Sequence, residues 1–110
     1  MTADVRLSDV QLTSIREELR EQLFRWTKRL AELEAAVNDD AVEVSAKPDV
    51  LADIVSVERN IAVVRAALRN IAELVYGRCE DCGSDIPFER LKARPLAAFC
   101  VGCQRRREIR

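Results

Sequence analysis

Cys79-Glu80-Asp81-Cys82-Gly83, answered by Cys100-Val101-Gly102-Cys103, holds all four cysteines of this 110-residue chain. Each pair is a Cys-x-x-Cys, and seventeen residues separate the pairs. Two residues between thiolates let one tight turn present both sulfurs to a single ion, and the gap returns a second such turn to the same point. Four sulfurs close a tetrahedron around Zn²⁺ and leave no open position for water or substrate, which reads as one structural zinc held by Cys79, Cys82, Cys100 and Cys103. A Cys₄ iron site uses the same ligands, so zinc and iron are not separated by the pattern. Two disulfides would require an oxidising compartment, and a redox switch would be laid over the structural role. A zinc deaminase would require His-x-Glu, and the chain has no histidine. The expectation is a protein that is not an enzyme.

Working outward, residues 1–77 carry ten Lys and Arg against fourteen Asp and Glu, whereas residues 78–110 carry eight against five. The basic side chains thus gather where thiolates bound to one zinc would add negative charge. A net charge of −1 excludes a polycationic nucleic-acid arm, and 48% hydrophobic residues argue against disorder. Met1-Thr2-Ala3-Asp4-Val5-Arg6 shows no apolar leader. No apolar run nears the ~20 residues of a membrane span, so a cytoplasmic protein is expected.

Upstream, Ser8-Asp9-Val10-Gln11 matches a capping box. Leu12, Ile15, Leu19, Leu23, Trp26, Leu30, Leu33 and Val37 then recur every three or four residues, one stripe of a helix over 8–38. Phe24 is read as lying on the same side as Trp26. Residues 39–47 form a connection. Pro48 suits a helix start, and Val50, Ile54, Val57, Ile61, Val64, Leu68, Ile71 and Val75 mark a second stripe over 48–76, with Gly77 as its stop. Two helices of near-equal length with a short connection bury their stripes as an antiparallel hairpin, with Ala62, Ala66, Ala67 and Ala72 allowing close approach. The expected fold is mainly α: a hairpin, residues 1–77, then a metal-stapled finger, residues 78–110, ending in a short helix over 104–110.

The run Tyr76-Gly77-Arg78-Cys79-Glu80-Asp81-Cys82-Gly83-Ser84-Asp85-Ile86, with Arg90-Leu91-Lys92-Ala93-Arg94-Pro95 and the second cysteine pair, resembles the DksA/TraR family of bacterial C4-type zinc finger proteins. The resemblance implies binding to RNA polymerase, with the hairpin in the secondary channel and acidic tip residues near the catalytic metal. The family's tip motif is Asp-x-x-Asp-x-Ala. Here Ala36 stands at the first aspartate and Asp39 and Ala41 match, with Asp40 and Glu43 as alternative carboxylates. Pro48 is a second departure. Of the basic positions the family uses for the alarmone ppGpp, Arg94 is present, whereas Gln104 and Val63 replace lysines. Weak or absent ppGpp synergy is therefore expected.

Arg94 also reads as a neutraliser of the thiolates, and Arg105, Arg106 and Arg107 as a basic last turn that complements the helix dipole. Two rival functions remain at this level. One is a zinc-ribbon adaptor that binds another partner or itself. The other is a nucleic-acid binder using the three arginines, against which the charge balance and the lack of interleaved aromatics argue. Sequence-specific DNA binding is not expected.

Overall fold

The computed structural model describes residues 7–109. Met1–Arg6, where the leader was sought, and Arg110, the last residue of the expected terminal helix, lie outside the described residues. The chain forms α1 (Asp9–Val37), a single 3₁₀ turn (Val44–Ala46), α2 (Lys47–Ala72), α3 (Phe88–Ala93) and α4 (Val101–Ile109).

The start of α1 is the predicted capping box. The Gln11 amide donates to Ser8 Oγ at 3.1 Å, and the Ser8 amide donates to Gln11 Oε1 at 3.0 Å. Both satisfy amide donors that a helix start otherwise leaves unpaired. At the far end Asn38 bends its side-chain amide back to the Glu34 carbonyl at 3.0 Å, and the turn begins.

Two compact units result. Within the first, Arg20–Ala66, Leu33, Val57 and Ile61 form a buried cluster with Leu23, Trp26, Leu30, Val50 and Ile54 packed against it. These are the two predicted stripes meeting in antiparallel order. Each fully buried aliphatic side chain contributes about 1.5–3 kcal/mol. Phe24 departs from its expected place: it is 69% exposed. One residue beyond Leu23 is a turn of ~100° around the helix, enough to carry the ring off the seam. Of the alanines named for close approach, only Ala67 is buried, whereas Ala62 and Ala72 face solvent. The exposed pair Glu21–Arg25, 4.0 Å apart, lies on the outer face, where it adds little to stability.

The second unit joins the described residues up to Leu19 with Ala67 onward. Its buried residues include Ile15, Leu19, Ala67 and Ile71 from the helices and Cys79, Ile86, Leu91 and Cys103 beyond them. Here α2 ends earlier than Gly77 suggested. The Val75 amide donates to the Asn70 carbonyl at 2.9 Å and the Leu74 amide to the Ile71 carbonyl at 3.2 Å, the paired bonds of a Schellman stop. The left-handed residue is Leu74 at φ 62°, not a glycine. The helix therefore finishes at Ala72, and Val75 leaves the stripe and is exposed. Gly77, at φ 87°, serves the next turn instead. The backbone angle calls for glycine there, and a Cβ would also press on Leu91 Cδ1 at 3.2 Å.

Candidate metal centre

The first cysteine pair sits on a tight backbone knuckle. The Cys79 amide donates to the Ser84 carbonyl at 2.8 Å, the Gly83 amide to the Cys79 carbonyl at 2.9 Å, and Arg78 and Asp85 form a single antiparallel bridge. Gly83 closes the knuckle at φ 74°.

The second pair is built differently, on the start of α4. Cys100 stands in the capping position. Its carbonyl accepts from the Gln104 amide at 2.9 Å, and its sulfur accepts from the Cys103 amide at 3.5 Å. Its sulfur there does what the oxygen of a serine or aspartate cap does. This is why α4 begins at Val101 and not at Gln104, where the sequence placed it.

A third element, α3, was not expected. It follows Pro87 and buries Leu91 completely. Phe88 and Leu91 at helical spacing after a proline were the available signal. The helix explains much of the motif between the cysteine pairs. Arg90 Nε donates to the Phe99 carbonyl at 3.0 Å, beside Cys100, and Tyr76 Oη donates to the Pro95 carbonyl at 2.6 Å. Burial pushes the Tyr76 hydroxyl well above the ordinary tyrosine range, which keeps it a donor. The Glu80 amide, donating to the Ala98 carbonyl at 2.8 Å, ties the first knuckle to the strand of chain ahead of the second pair. Ile86 and Leu91, both essentially inaccessible, form the small apolar floor.

These contacts bring the sulfurs of Cys79, Cys82, Cys100 and Cys103 within 4.8 Å of one another. The Cys82 and Cys100 sulfurs are 3.8 Å apart. A tetrahedron with Zn–S bonds of ~2.3 Å has edges of about 3.8 Å, and no pair is bonded as a disulfide among these free cysteines. The donor set fits one structural Zn²⁺, with every coordination position taken by sulfur. Its ligands differ in exposure, Cys79 and Cys103 being buried and Cys82 open to solvent.

The electrostatics follow the backbone. Burial pushes the Cys79 thiol up, but hydrogen bonds from the backbone at Cys100, Cys82 and Asp81 outweigh it and bring it down to about 6. The Ser84 hydroxyl and amide lower Cys82. Burial and then the three neighbouring sulfurs push Cys103 up to about 12, against a lowering by Arg106. Arg106 Nη2 donates to Cys103 Sγ at 2.9 Å. Arg107 instead grips both carboxylate oxygens of Asp81 at 2.9 Å each and lies 4.0 Å over the Phe99 ring, latching α4 to the first knuckle. Both guanidinium groups are raised, Arg106 by its bond to Cys103 and Arg107 by its bond to Asp81.

The remaining residues singled out by sequence lie apart from the sulfurs. The Arg94 side chain is exposed and makes no hydrogen bond or ion pair among the described residues; its backbone closes α3, donating to the Arg90 carbonyl at 2.8 Å. The cation against the thiolates is Arg106. Asp39, Asp40 and Ala41 are all exposed in the α1–α2 connection, within the Arg20–Ala66 unit. Asp39 Oδ1 accepts from the Ala41 amide at 2.9 Å, an Asx turn that sets the shape of the connection.

The model of the prokaryotic dksA/traR C4-type zinc finger matches residues 75–108. The RNA polymerase-binding transcription factor DksA of Salmonella typhimurium strain LT2 is 30% identical over 103 residues, 90% of this chain and 68% of that protein. The protein of the same name from Escherichia coli K12 matches to the same extent. The chain belongs to the DksA/TraR family. A further DksA, from Haemophilus influenzae, is 38% identical over 47 residues, 43% of this chain and 32% of its own. In three dimensions the chain is similar to transcription factor DksA2 from Pseudomonas aeruginosa, with a TM-score of 0.78 over 92% of this chain and 85% of that one. At 22% identity this likeness speaks to the fold. Among the described residues no helix is long and apolar enough to cross a membrane.

Proposed function

We propose that this DksA/TraR family member is a transcription regulator, not an enzyme, that binds bacterial RNA polymerase. The observation that carries the reading is the match over 90% of the chain to relatives named as RNA polymerase-binding transcription factors. In this reading the helical arm, residues 1–77, enters the secondary channel of the polymerase, and the finger, residues 78–110, is the structural module on which the arm is mounted. A pair of helices joined by a short turn is narrow enough for a pore that a globular domain cannot enter. The exposed Asp39 and Asp40 at the turn are the carboxylates it would carry there. Ala36 in place of an aspartate leaves those two, with Glu43, to supply the negative charge. With only Arg94 of the three basic alarmone positions, regulation proceeds without strong ppGpp synergy.

Two measurements test the proposal. Purified cognate polymerase retains the protein at micromolar concentration and low salt; failure to do so refutes polymerase binding. In transcription in vitro, with and without ppGpp, an Asp39→Asn/Asp40→Asn double variant loses most of the regulatory effect while still binding. Full effect from the double variant refutes the role of the tip and leaves polymerase binding standing.

A second reading, in which the hairpin pairs with another copy or a different protein, is favoured by one observation. Leu51 and Val55, on one face of α2, are 51% and 54% exposed. A sizing column separates the two, because a self-pairing hairpin elutes as a dimer.

A further inference from the structure

Three consecutive arginines follow the last zinc ligand, and α4 gives each a different fate. Arg107 is committed to Asp81 and Phe99. Arg105 is exposed, with no bond among the described residues. Arg106, one helical turn beyond Cys103, folds back toward the start of α4 and donates to the Cys103 sulfur at 2.9 Å. Residues three apart on a helix are neighbours, so the backbone of α4 itself sets this approach.

Gly102 leaves the room for it. A Cβ at 102 would lie 3.9 Å from Arg106 Nη1, an ordinary contact, so the guanidinium passes directly over this position. The contact thus rests on an arginine three residues past Cys103, with Gly102 at the second helical position leaving its guanidinium uncrowded.

We propose that Arg106 is a positioning residue of the zinc site, an outer-sphere donor that holds Cys103 as a metal-bound thiolate and slows loss of the ion. Four thiolates around one Zn²⁺ carry a net charge of −2, and a hydrogen bond from a guanidinium removes electron density from the sulfur it touches. The bound thiolate is then less readily drawn away from the ion. Of the four ligands, Cys103 is one of the two buried ones and receives this donor, whereas Cys82 is exposed. The site is therefore reinforced at Cys103 and open to solvent at Cys82. Loss of partners that act through a ligand lowers metal affinity by roughly 10–100-fold, and the solvent exposure of Arg106 places its effect at the lower end.

The test uses the full chain. The zinc-loaded protein is challenged with excess colorimetric chelator, and the cobalt-substituted protein reports the sulfur directly through its thiolate-to-cobalt charge-transfer band. Arg106→Gln is expected to release zinc about tenfold faster than wild type and to move the band to lower energy, because the sulfur becomes more electron-rich. Arg105→Gln, which removes the same charge from the same turn without touching a sulfur, should leave both readouts near wild type. Arg106→Lys keeps a charge but loses the planar fork and should fall between; it decides the matter if Arg106→Gln does not take up metal. Zinc release and band position equal to wild type in the Arg106 variant that folds, or equal shifts in the Arg105 and Arg106 variants, overturn the proposal.

Discussion

Leu74→Gly is expected to make the protein more stable than Leu74→Ala, although glycine ordinarily weakens a helix. The reason lies in one backbone angle. Leu74 holds φ at 62° to complete the Schellman bonds that end α2. A left-handed residue with a Cβ carries a strain of about 1–2 kcal/mol, whereas glycine gives up about 0.5–1 kcal/mol through the freedom it gains in the unfolded chain. The Leu74 side chain is 77% exposed, so its own burial contributes little, and alanine is the reference that removes it while keeping the strain. The difference, glycine over alanine, is about 0.5–1 kcal/mol, or roughly 2–4 °C in Tm for a chain of this size. Ala72→Gly, inside the last right-handed turn two residues earlier, should go the other way by about 0.5–1 kcal/mol. Thermal and urea unfolding of the zinc-loaded proteins, followed by far-UV circular dichroism, gives both values. If glycine at 74 is no better than alanine, or if glycine at 72 and at 74 change stability with the same sign, the assignment of Leu74 as the helix stop is wrong.

Chelation should unfold the finger while much of α1 and α2 stays helical, because metal binding and folding are coupled in such modules; amide exchange of residues 78–110 that is unchanged after exhaustive chelation would contradict a structural site. Zinc binding should weaken as pH falls. The Cys103 thiol, pushed up to about 12, holds its proton at neutral pH and must give it up to the ion, whereas Cys79, brought down to about 6, has largely done so already. Each proton displaced lowers the apparent affinity about tenfold per pH unit. Proton release measured with an indicator dye on zinc addition checks this, and a pH-independent affinity would refute it. Leu33→Ala, in the buried cluster of the Arg20–Ala66 unit, should cost about 2–5 kcal/mol in urea unfolding, whereas Phe24→Ala, at an exposed position, should lie within about 0.5 kcal/mol of wild type.

The helix seams and the ligand set were both legible because each is a spacing. Of the sixteen stripe residues read from sequence, Val75 alone is exposed, and it is exposed because its helix had already ended. The features that escaped are those in which a residue does another residue's work. A leucine takes the left-handed place that rules of thumb give to glycine. A cysteine caps α4 where a serine or aspartate would be sought, so the helix starts three residues early. A six-residue helix, too short to show a period, supplies the leucine floor and the arginine clamp of the finger. Phe24 fails for a simpler reason: adjacent residues on a helix point ~100° apart, and Trp26 holds the seam.

The cysteine spacing by itself determined that four sulfurs would converge on one ion, and the two apolar periods determined a helical hairpin ahead of it. Both are local rules, written in intervals of two to four residues. Which cation meets the sulfurs was decided only in three dimensions. Arg94, Arg105, Arg106 and Arg107 are alike in sequence, but the start of α4 after Cys100 sets one of them, Arg106, one turn beyond Cys103 and within reach of its sulfur, while Asp81 captures its neighbour. A contact of that kind depends on where a helix begins and which way it faces, and no interval along the chain records it.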